Sequence, residues 1–373
     1  MKITAIEATN LVIPYEPGYR PAWQPGIVRH DRDFTLVKVT VDEGLVGYGG
    51  SDGHHAATIH KSVTPYLVGQ PVWATERHQE VLRNAGGMFL VDQALWDIQG
   101  KAAGLPLYRL WGAYRDSVPA YASAAELGTV EDRVRLALRY RAEGFTALKL
   151  RLHRARLEED LELVDAVRAA VPAMVLMVDA NQATNLPRLG PAPVWDYARA
   201  LRTARALEQR GVLWLEEPLP RYDFEDLIRL REHTEIYIAG GESNRNLHEF
   251  RWLIERGVYD IIQADCGLSE GISQLRKIAA LAEIFHRHFV PHHGLSGLGL
   301  AAALHLVCTV PGMAWLELMY EPPTRSLETY QRLGGILTST IFVDPDGLVR
   351  PPDRPGLGVD VNEEVIARYA VPA

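Results

Sequence analysis

Cysteine is scarce. Cys266 and Cys308 are the only two in 373 residues, too few for a disulfide framework and fitting a reducing compartment. Positive charge is also in short supply, with 39 Lys and Arg against 47 Asp and Glu, a formal net charge of −8. With no basic tract to displace counterions from phosphate, general nucleic-acid binding is excluded. No run approaches the ~20 apolar residues that span a bilayer, so no membrane partner is expected. Residues 1–10 alternate apolar and polar instead of forming the apolar block of a secretory signal. Long polar tracts are missing and hydrophobic residues make up 47%, a globular rather than a disordered composition. A chain of this size buries roughly 75% of its unfolded surface. What remains is the expectation of a cytoplasmic enzyme, and an acidic net charge leaves an anionic substrate open because a local field can oppose the global one.

The chain opens with β signals. Residues 35–41 alternate at period two, Asp42-Glu43-Gly44 makes a turn, and residues 45–49 return as a second strand. Residues 15–33, rich in Pro, Gly and Arg, read as a long loop, and long ordered loops are often functional. From about residue 54 to 110 the pattern is helical, with Val91, Leu95, Ile98 and Ala102 on one apolar face. After about Val118, strand candidates at 119–122, 147–150, 174–178, 212–215, 237–239, 260–264, 289–292 and 314–318 alternate with helical segments such as 157–170 and 274–285. Such alternation signals βαβ units around a parallel sheet, and eight strands in about 200 residues fit a closed barrel. The tail carries one more strand candidate near 340–343 and cannot extend the alternation, so it is expected to fold back on the N-terminal part. The expected boundaries are 1–117 for an α+β capping domain, 118–319 for the barrel and 320–373 for the returning segment.

In such a barrel the carboxyl ends of the strands converge on the active site. Here they carry Lys149-Leu150-Arg151, Asp179-Ala180-Asn181-Gln182, Glu216-Glu217-Pro218, Gly240-Gly241-Glu242, Asp265, His292-His293 and Glu317. A single acid at a strand end is more often a helix cap or a solvated loop residue. Asp179, Glu216 and Glu242 on three successive strands would repel one another in a partly buried place, a conflict that a divalent cation removes. Oxygen ligands without Cys point to Mg²⁺ rather than Zn²⁺. The other reading of the trio is an ion-pair network with Lys149 and Arg151. Asp265 and a histidine on the next strand make a base with a fixed tautomer. Period-two alternation turns His292 and His293 to opposite sides without saying which faces inward.

As an ordered set, Lys-x-Arg, Asp-x-Asn-Gln, Trp-Leu-Glu-Glu-Pro, Gly-Gly-Glu, Asp, His and Trp-Leu-Glu resembles the mandelate racemase subgroup of the enolase superfamily. The likeness runs over nearly the whole chain and includes Ala-Leu-Trp-Asp at 94–97 and Pro-Gly-Leu-Gly at 355–358. It implies a modified (β/α)7β barrel with an α+β capping domain built from both termini, and a Lys or His base working with Mg²⁺, one ion per subunit. Matched to the motifs, Asp179, Glu216 and Glu242 are the metal ligands, Asp265 and His292 the dyad, and Lys149 the first Lys of a Lys-x-Lys pair. Glu317 is the acid that, if protonated, donates a hydrogen bond to the substrate carboxylate as it gains enolate character. Residues 15–33 and 50–55 match the loops that set substrate choice, and the resemblance suggests a homo-oligomer, from dimer to octamer.

The departure is Arg151, which stands where the family has its second Lys. A guanidinium stays protonated and has no acceptor, so Arg151 is no conventional base. Racemisation needs acid/base groups on both faces of a carbon, whereas dehydration needs one. His292 removes the α-proton and returns it to the leaving β-hydroxyl. His153, two residues beyond Arg151, is the candidate second base. Arg20, Trp23, His30, His54, His55 and Asn181 are candidate substrate contacts suited to a polyhydroxy acid. The expected reaction is Mg²⁺-dependent dehydration of an aldonate or aldarate to a 2-keto-3-deoxy acid. The alternatives are a sugar-acid lactone cycloisomerase, a racemase or epimerase, and a non-catalytic protein that binds metal and acid sugar.

Overall fold

The structure is a computed structural model that describes residues 1–152, 154–183 and 193–372. Strands β1 (Ile3–Tyr19), β2 (Arg29–Val41) and β3 (Val46–Asp52) form an antiparallel sheet, with Ile3 opposite Val41 and Thr40 opposite Val46. The hairpin between β2 and β3 turns at Gly44, whose φ of +81° suits glycine. Residues 15–33, expected as a loop, are mostly strand. The β1–β2 ribbon continues to Pro14 opposite Asp31 and, past an irregularity, to Tyr19 opposite Arg29. Pro14 borders that irregularity and Pro17 lies within it, where a residue without an N–H is tolerated; only 20–28 remain as the connection.

The helix Leu90–Ala103 packs on β3 and buries every residue from Leu90 to Gly100. Gly47 and Gly49 make this possible: a Cβ there would lie 2.1 Å from the Ala94 carbonyl oxygen and 1.9 Å from that of Leu90. Gly104, at φ +66°, ends the helix in the left-handed conformation favoured after a C-terminus.

Eight parallel strands follow: β4 (Val118–Ser123), β5 (Ala147–Arg151), β6 (Val175–Asp179), β7 (Trp214–Glu216), β8 (Tyr237–Gly240), β9 (Ile261–Ile262), β10 (His288–Phe289) and β11 (Leu316–Met319). Their order runs from β10 down to β4 and then to β11, which pairs with β4 through Glu317 opposite Tyr121. Among the described residues no ladder joins β10 to β11. Each of β4 to β10 is followed by a helix of nine to fourteen residues, the first Val130–Ala142 and the last Gly297–Val307, whereas β11 is followed only by the four-residue helix Leu327–Tyr330. Seven βα units and a lone final strand make the expected modified (β/α)7β barrel. Its floor is one layer of inward side chains, Tyr121, Ala147, Met177, Trp214, Ala239, Ile261 and Val290. A second, larger core fills the space between strands and helices.

The tail divides. Residues 340–343 form no strand; the Gln331 side chain satisfies the Ile341 backbone, accepting from its N–H and donating to its carbonyl, both at 2.8 Å. Instead β12 (Leu348–Val349) pairs with β4 of the barrel, so this part of 320–373 does not return to the cap. The last strand, β13 (Ala370–Val371), does, pairing with β1 at Asn10 and Leu11. Cap and barrel are joined by Asp92, which accepts from the Ser273 backbone (2.9 Å) and hydroxyl (2.7 Å), and by Trp96 Nε1, which donates to Ser273 Oγ at 2.9 Å. Both cysteines are free and buried. No described helix is long and apolar enough to cross a membrane.

Candidate active site

The period-two alternation that lays the apolar floor also builds the site. Two residues beyond Ala147 comes Lys149, and two further Arg151; beyond Met177 comes Asp179, beyond Trp214 Glu216, and beyond Ile261 Gln263 and Asp265. The inward face of each strand thus changes from apolar to charged toward its carboxyl end. Glu317 follows the same rule on β11, opposite Tyr121.

The charged groups form one buried network. Lys149 Nζ donates to both Glu216 oxygens at 2.9 and 2.8 Å, and lies 3.0 Å from Glu317 and 3.8 Å from Asp179. Arg151 pairs with Asp179, donates to the Ala124 carbonyl at 2.8 Å and Ser123 Oγ at 3.1 Å, and stacks over Trp23 at 5.5 Å. His292 Nδ1 donates to Asp265 at 2.6 Å, and Nε2 lies 2.9 Å from Glu242. Asp265 is held in turn by the backbone N–H groups of Gly267, Leu268 and Gly294. His292 and His293 do not part as strand alternation suggests. The strand ends at Phe289, both rings line one cavity, and their centroids are 3.9 Å apart.

Burial and charge set the protonation states. Burial disfavours a charged His292, but Glu242 and the bonds to Asp265 and Glu242 overcome it and hold the imidazole well above its ordinary pKa. Burial also opposes a charged Glu317, yet Lys149, His292, His293 and Arg151 keep its carboxyl well below the usual range. That pull favours the ionised carboxylate, whereas the hydrogen-bond-donor role that the family resemblance implies requires a protonated Glu317. Burial lifts Glu216 to about 7 against the pull of Lys149, with help from Asp179, Glu317 and Glu242. Glu217 is also raised well above the usual carboxylate range, first by burial and then by Glu242, Asp179 and Glu216.

A cavity of about 550 Å³ opens over this network between barrel and cap. Its wall includes Arg151, Asn181, Glu242, His292 and Trp23, as expected, but not Arg20, His30, His54 or His55. On β2 the run Asp31, Arg32 and Asp33 and, nearer the strand's start, Arg29 line the cavity, whereas the His30 ring packs against Gly18. His54 lies by Asp33 and the Leu11 carbonyl, His55 bonds the Asp52 carbonyl, and the Arg20 backbone binds Glu126. His153 lies outside the described residues. Residues not expected from sequence also line the cavity: Tyr15, Tyr19, Arg32, Glu217, Met319 and Arg325. Glu217, beside Glu216 in one motif, carried a local signal, and Tyr15, Tyr19 and Arg32 lie in the 15–33 segment read as a substrate loop; Met319 and Arg325 carried none.

The metal trio is not assembled as a cage. Among the described residues no three His, Cys, Asp or Glu side chains stand ready to hold an ion, because Asp179 is turned to Arg151, Glu216 to Lys149 and Glu242 to His292. The trio nonetheless fits Mg²⁺ in donor type and in position at three adjacent strand ends. Charge agrees: three cations, Lys149, Arg151 and His292, face five acids, Asp179, Glu216, Glu242, Asp265 and Glu317, and neighbouring acids add to the burial that raises Glu216. Taking an ion requires Arg151 to release Asp179 and His292 to release Glu242.

A barrel with acids at its strand ends, capped by an antiparallel sheet, is the architecture of enolase-type enzymes. Comparison with known proteins agrees. The enolase C-terminal-domain-like family model matches residues 132–365, and the mandelate racemase/muconate lactonizing enzyme N-terminal domain matches residues 12–112. The chain belongs to the mandelate racemase/muconate lactonizing enzyme family of the enolase superfamily. It is 30% identical to arabinonate dehydratase of Saccharolobus solfataricus over 92% of each chain, and 30% identical to D-galactarolactone cycloisomerase of Agrobacterium fabrum over 100% of both. The crystal structure of a racemase from Streptomyces coelicolor A3(2) with bound magnesium superposes with a TM-score of 0.82 at 28% identity, covering 99% of this chain and 100% of that one. The relatives are thus acid-sugar dehydratases and cycloisomerases, with magnesium bound in a structural neighbour.

Proposed function

We propose that this chain abstracts the proton α to the carboxylate of an acid sugar in a Mg²⁺-dependent reaction, and that dehydration to a 2-keto-3-deoxy acid follows. The observation that carries this reading is His292, pinned at Nδ1 by Asp265 and facing the cavity, while Arg151 occupies the place of a second base. Asp179, Glu216 and Glu242 would hold the ion. When bound, Mg²⁺ supplies a Lewis acid for the substrate carboxylate and positive charge for the developing enediolate.

The chain's own groups do the rest. Once Glu242 no longer occupies Nε2, the imidazole keeps only Asp265, which fixes the Nδ1–H tautomer and leaves the Nε2 lone pair free to take the α-proton. The resulting imidazolium protonates the departing β-hydroxyl on the same face, which leaves as water. Lys149 and Arg151 neutralise charge growing on the carboxylate oxygens, and Glu317 orients Lys149. Opening of a sugar-acid lactone uses the same single base with a ring oxygen as leaving group, and the full-length likeness to a cycloisomerase supports that second reading.

Mg²⁺-loaded protein incubated in D₂O with a panel of aldonates, aldarates and lactones tests this. The expected result is α-deuteration with release of a semicarbazide-reactive 2-keto acid, reduced by at least about 10²-fold in His292→Asn. Exchange without keto acid indicates an epimerase, and loss of the lactone without dehydration a cycloisomerase. Binding without any exchange indicates a non-catalytic protein and overturns the proposal.

A further inference from the structure

Arg325 lies between β11 and the short helix Leu327–Tyr330, at 5% exposure, in the wall of the same cavity. Its partners are unusual for a buried cation. Nη1 donates to the Tyr15 hydroxyl at 2.6 Å, Nη2 lies 2.8 Å from Met319 Sδ, and Nε has no hydrogen-bond partner. The rings of Tyr19, Tyr330 and Tyr15 surround the guanidinium at 4.8, 5.0 and 5.9 Å. The acids around it are engaged elsewhere: Asp52 with Arg32 at 2.6 Å, and Glu321 with Arg133 at 2.6 Å and the N–H groups of Ala125 and Glu126. Among the described residues no carboxylate pairs with it. A guanidinium stays charged, and burying one without a counter-ion is costly unless an anion arrives.

Its position says which anion. Met319 is two residues beyond Glu317 on β11 and on the same face, about 7 Å further toward the rim at ~3.4 Å per residue. Arg325, resting on Met319, therefore stands one short sugar chain above the Lys149–Glu317 level where a substrate carboxylate is expected. We propose that Arg325 receives the distal carboxylate of a linear sugar diacid, and so makes the chain selective for aldarates, or their lactones, over aldonates. This rests on the acid-sugar reading above. A planar guanidinium in the cavity wall, its Nε without a partner and no carboxylate paired with it, matches a carboxylate ligand held by charge-assisted bonds.

The experiment compares an aldarate with the aldonate of the same configuration, and with that aldonate phosphorylated at its far end, by α-proton exchange in the Mg²⁺-loaded protein. The aldarate is expected to have a kcat/KM at least about 10²-fold above the other two, since a polar site rejects analogues that leave it unpaired. Arg325→Met should remove that preference, mainly through KM, with a larger loss for the aldarate than for the aldonate. Arg325→Lys, which keeps the charge and guards against misfolding, should retain part of it. Equal use of aldarate and aldonate, preference for the phosphate, or equal losses for both acids in Arg325→Lys overturns the proposal. If no sugar acid exchanges at all, the functional reading fails separately, and Arg325 is then read by thermal shift. Glutarate raising the Tm of the wild type more than that of Arg325→Lys, with its monoamide inert, upholds a dicarboxylate site; equal shifts overturn it.

Discussion

At the level of single residues, the replacement of a family lysine by Arg151 has structural as well as chemical consequences. Its fork serves the Ala124 carbonyl, Ser123 Oγ and Asp179 at once, a set that one ammonium tip cannot reach. Arg151→Lys should lower stability by about 1–3 kcal/mol, the cost of leaving a buried polar group unpaired, as measured by urea denaturation. An amine can also lose its proton where a guanidinium cannot. The double variant Arg151→Lys/His292→Asn should therefore regain α-proton exchange that His292→Asn alone lacks; equal rates would show that position 151 does not reach the α-carbon. Lys149, Asp179, Glu216, Asp265 and Glu317 were legible from sequence because strand phase alone places them at one end of the barrel interior. Arg325, Tyr15 and Tyr19 were not. They come from a tail and a ribbon end whose positions depend on distant docking: the segment 15–33 was marked as a whole, but nothing local singled out Tyr15, Tyr19 or Arg325. The side-chain pairing that leaves the metal trio unassembled is likewise a matter of three-dimensional distance, invisible to spacing.

Among the elements, the contact between the helix Leu90–Ala103 and β3 is governed by what is missing from two residues. Gly47 and Gly49 face the helix backbone so closely that any side chain meets a carbonyl oxygen. Gly49→Ala should push the helix off the sheet and, like other overpacked sites, cost about 1–3 kcal/mol or more, measured as a fall in urea midpoint with an unchanged slope. A cost below about 0.5 kcal/mol would mean that the helix slides freely. The sequence showed this helix through its apolar face, and the barrel strands through short apolar runs. It concealed the length of β1 and β2, because prolines and charges in 15–33 read as loop while the ribbon tolerates them near its irregularity. It also suggested a strand at 340–343, where Gln331 supplies the backbone bonds that a neighbouring strand would otherwise give.

Across the whole molecule, cap, barrel and tail meet at His305. On the barrel helix Gly297–Val307, its ring stacks on Tyr108 at 5.9 Å, Nδ1 accepts from the Tyr108 N–H at 3.3 Å, and Nε2 bonds the Leu357 carbonyl at 3.2 Å. These bonds fix the neutral tautomer with the proton on Nε2. Burial pushes its pKa down to about 4, against a smaller opposite pull from the Leu357 carbonyl. An unfolded histidine titrates near 6.5. Below that pH the unfolded chain binds a proton that the folded one refuses, so the stability His305 contributes is present above about 6.5 and lost as pH falls through about 4. The shift corresponds to about 3 kcal/mol between pH 7 and pH 4. The difference in urea-derived stability between wild type and His305→Gln should shrink by that amount over this range, with cap and barrel probes reporting one shared transition because the imidazole bridges both. A pH-independent difference would place the ring outside the acid response. Separate transitions for cap and barrel would show that the junction does not couple them.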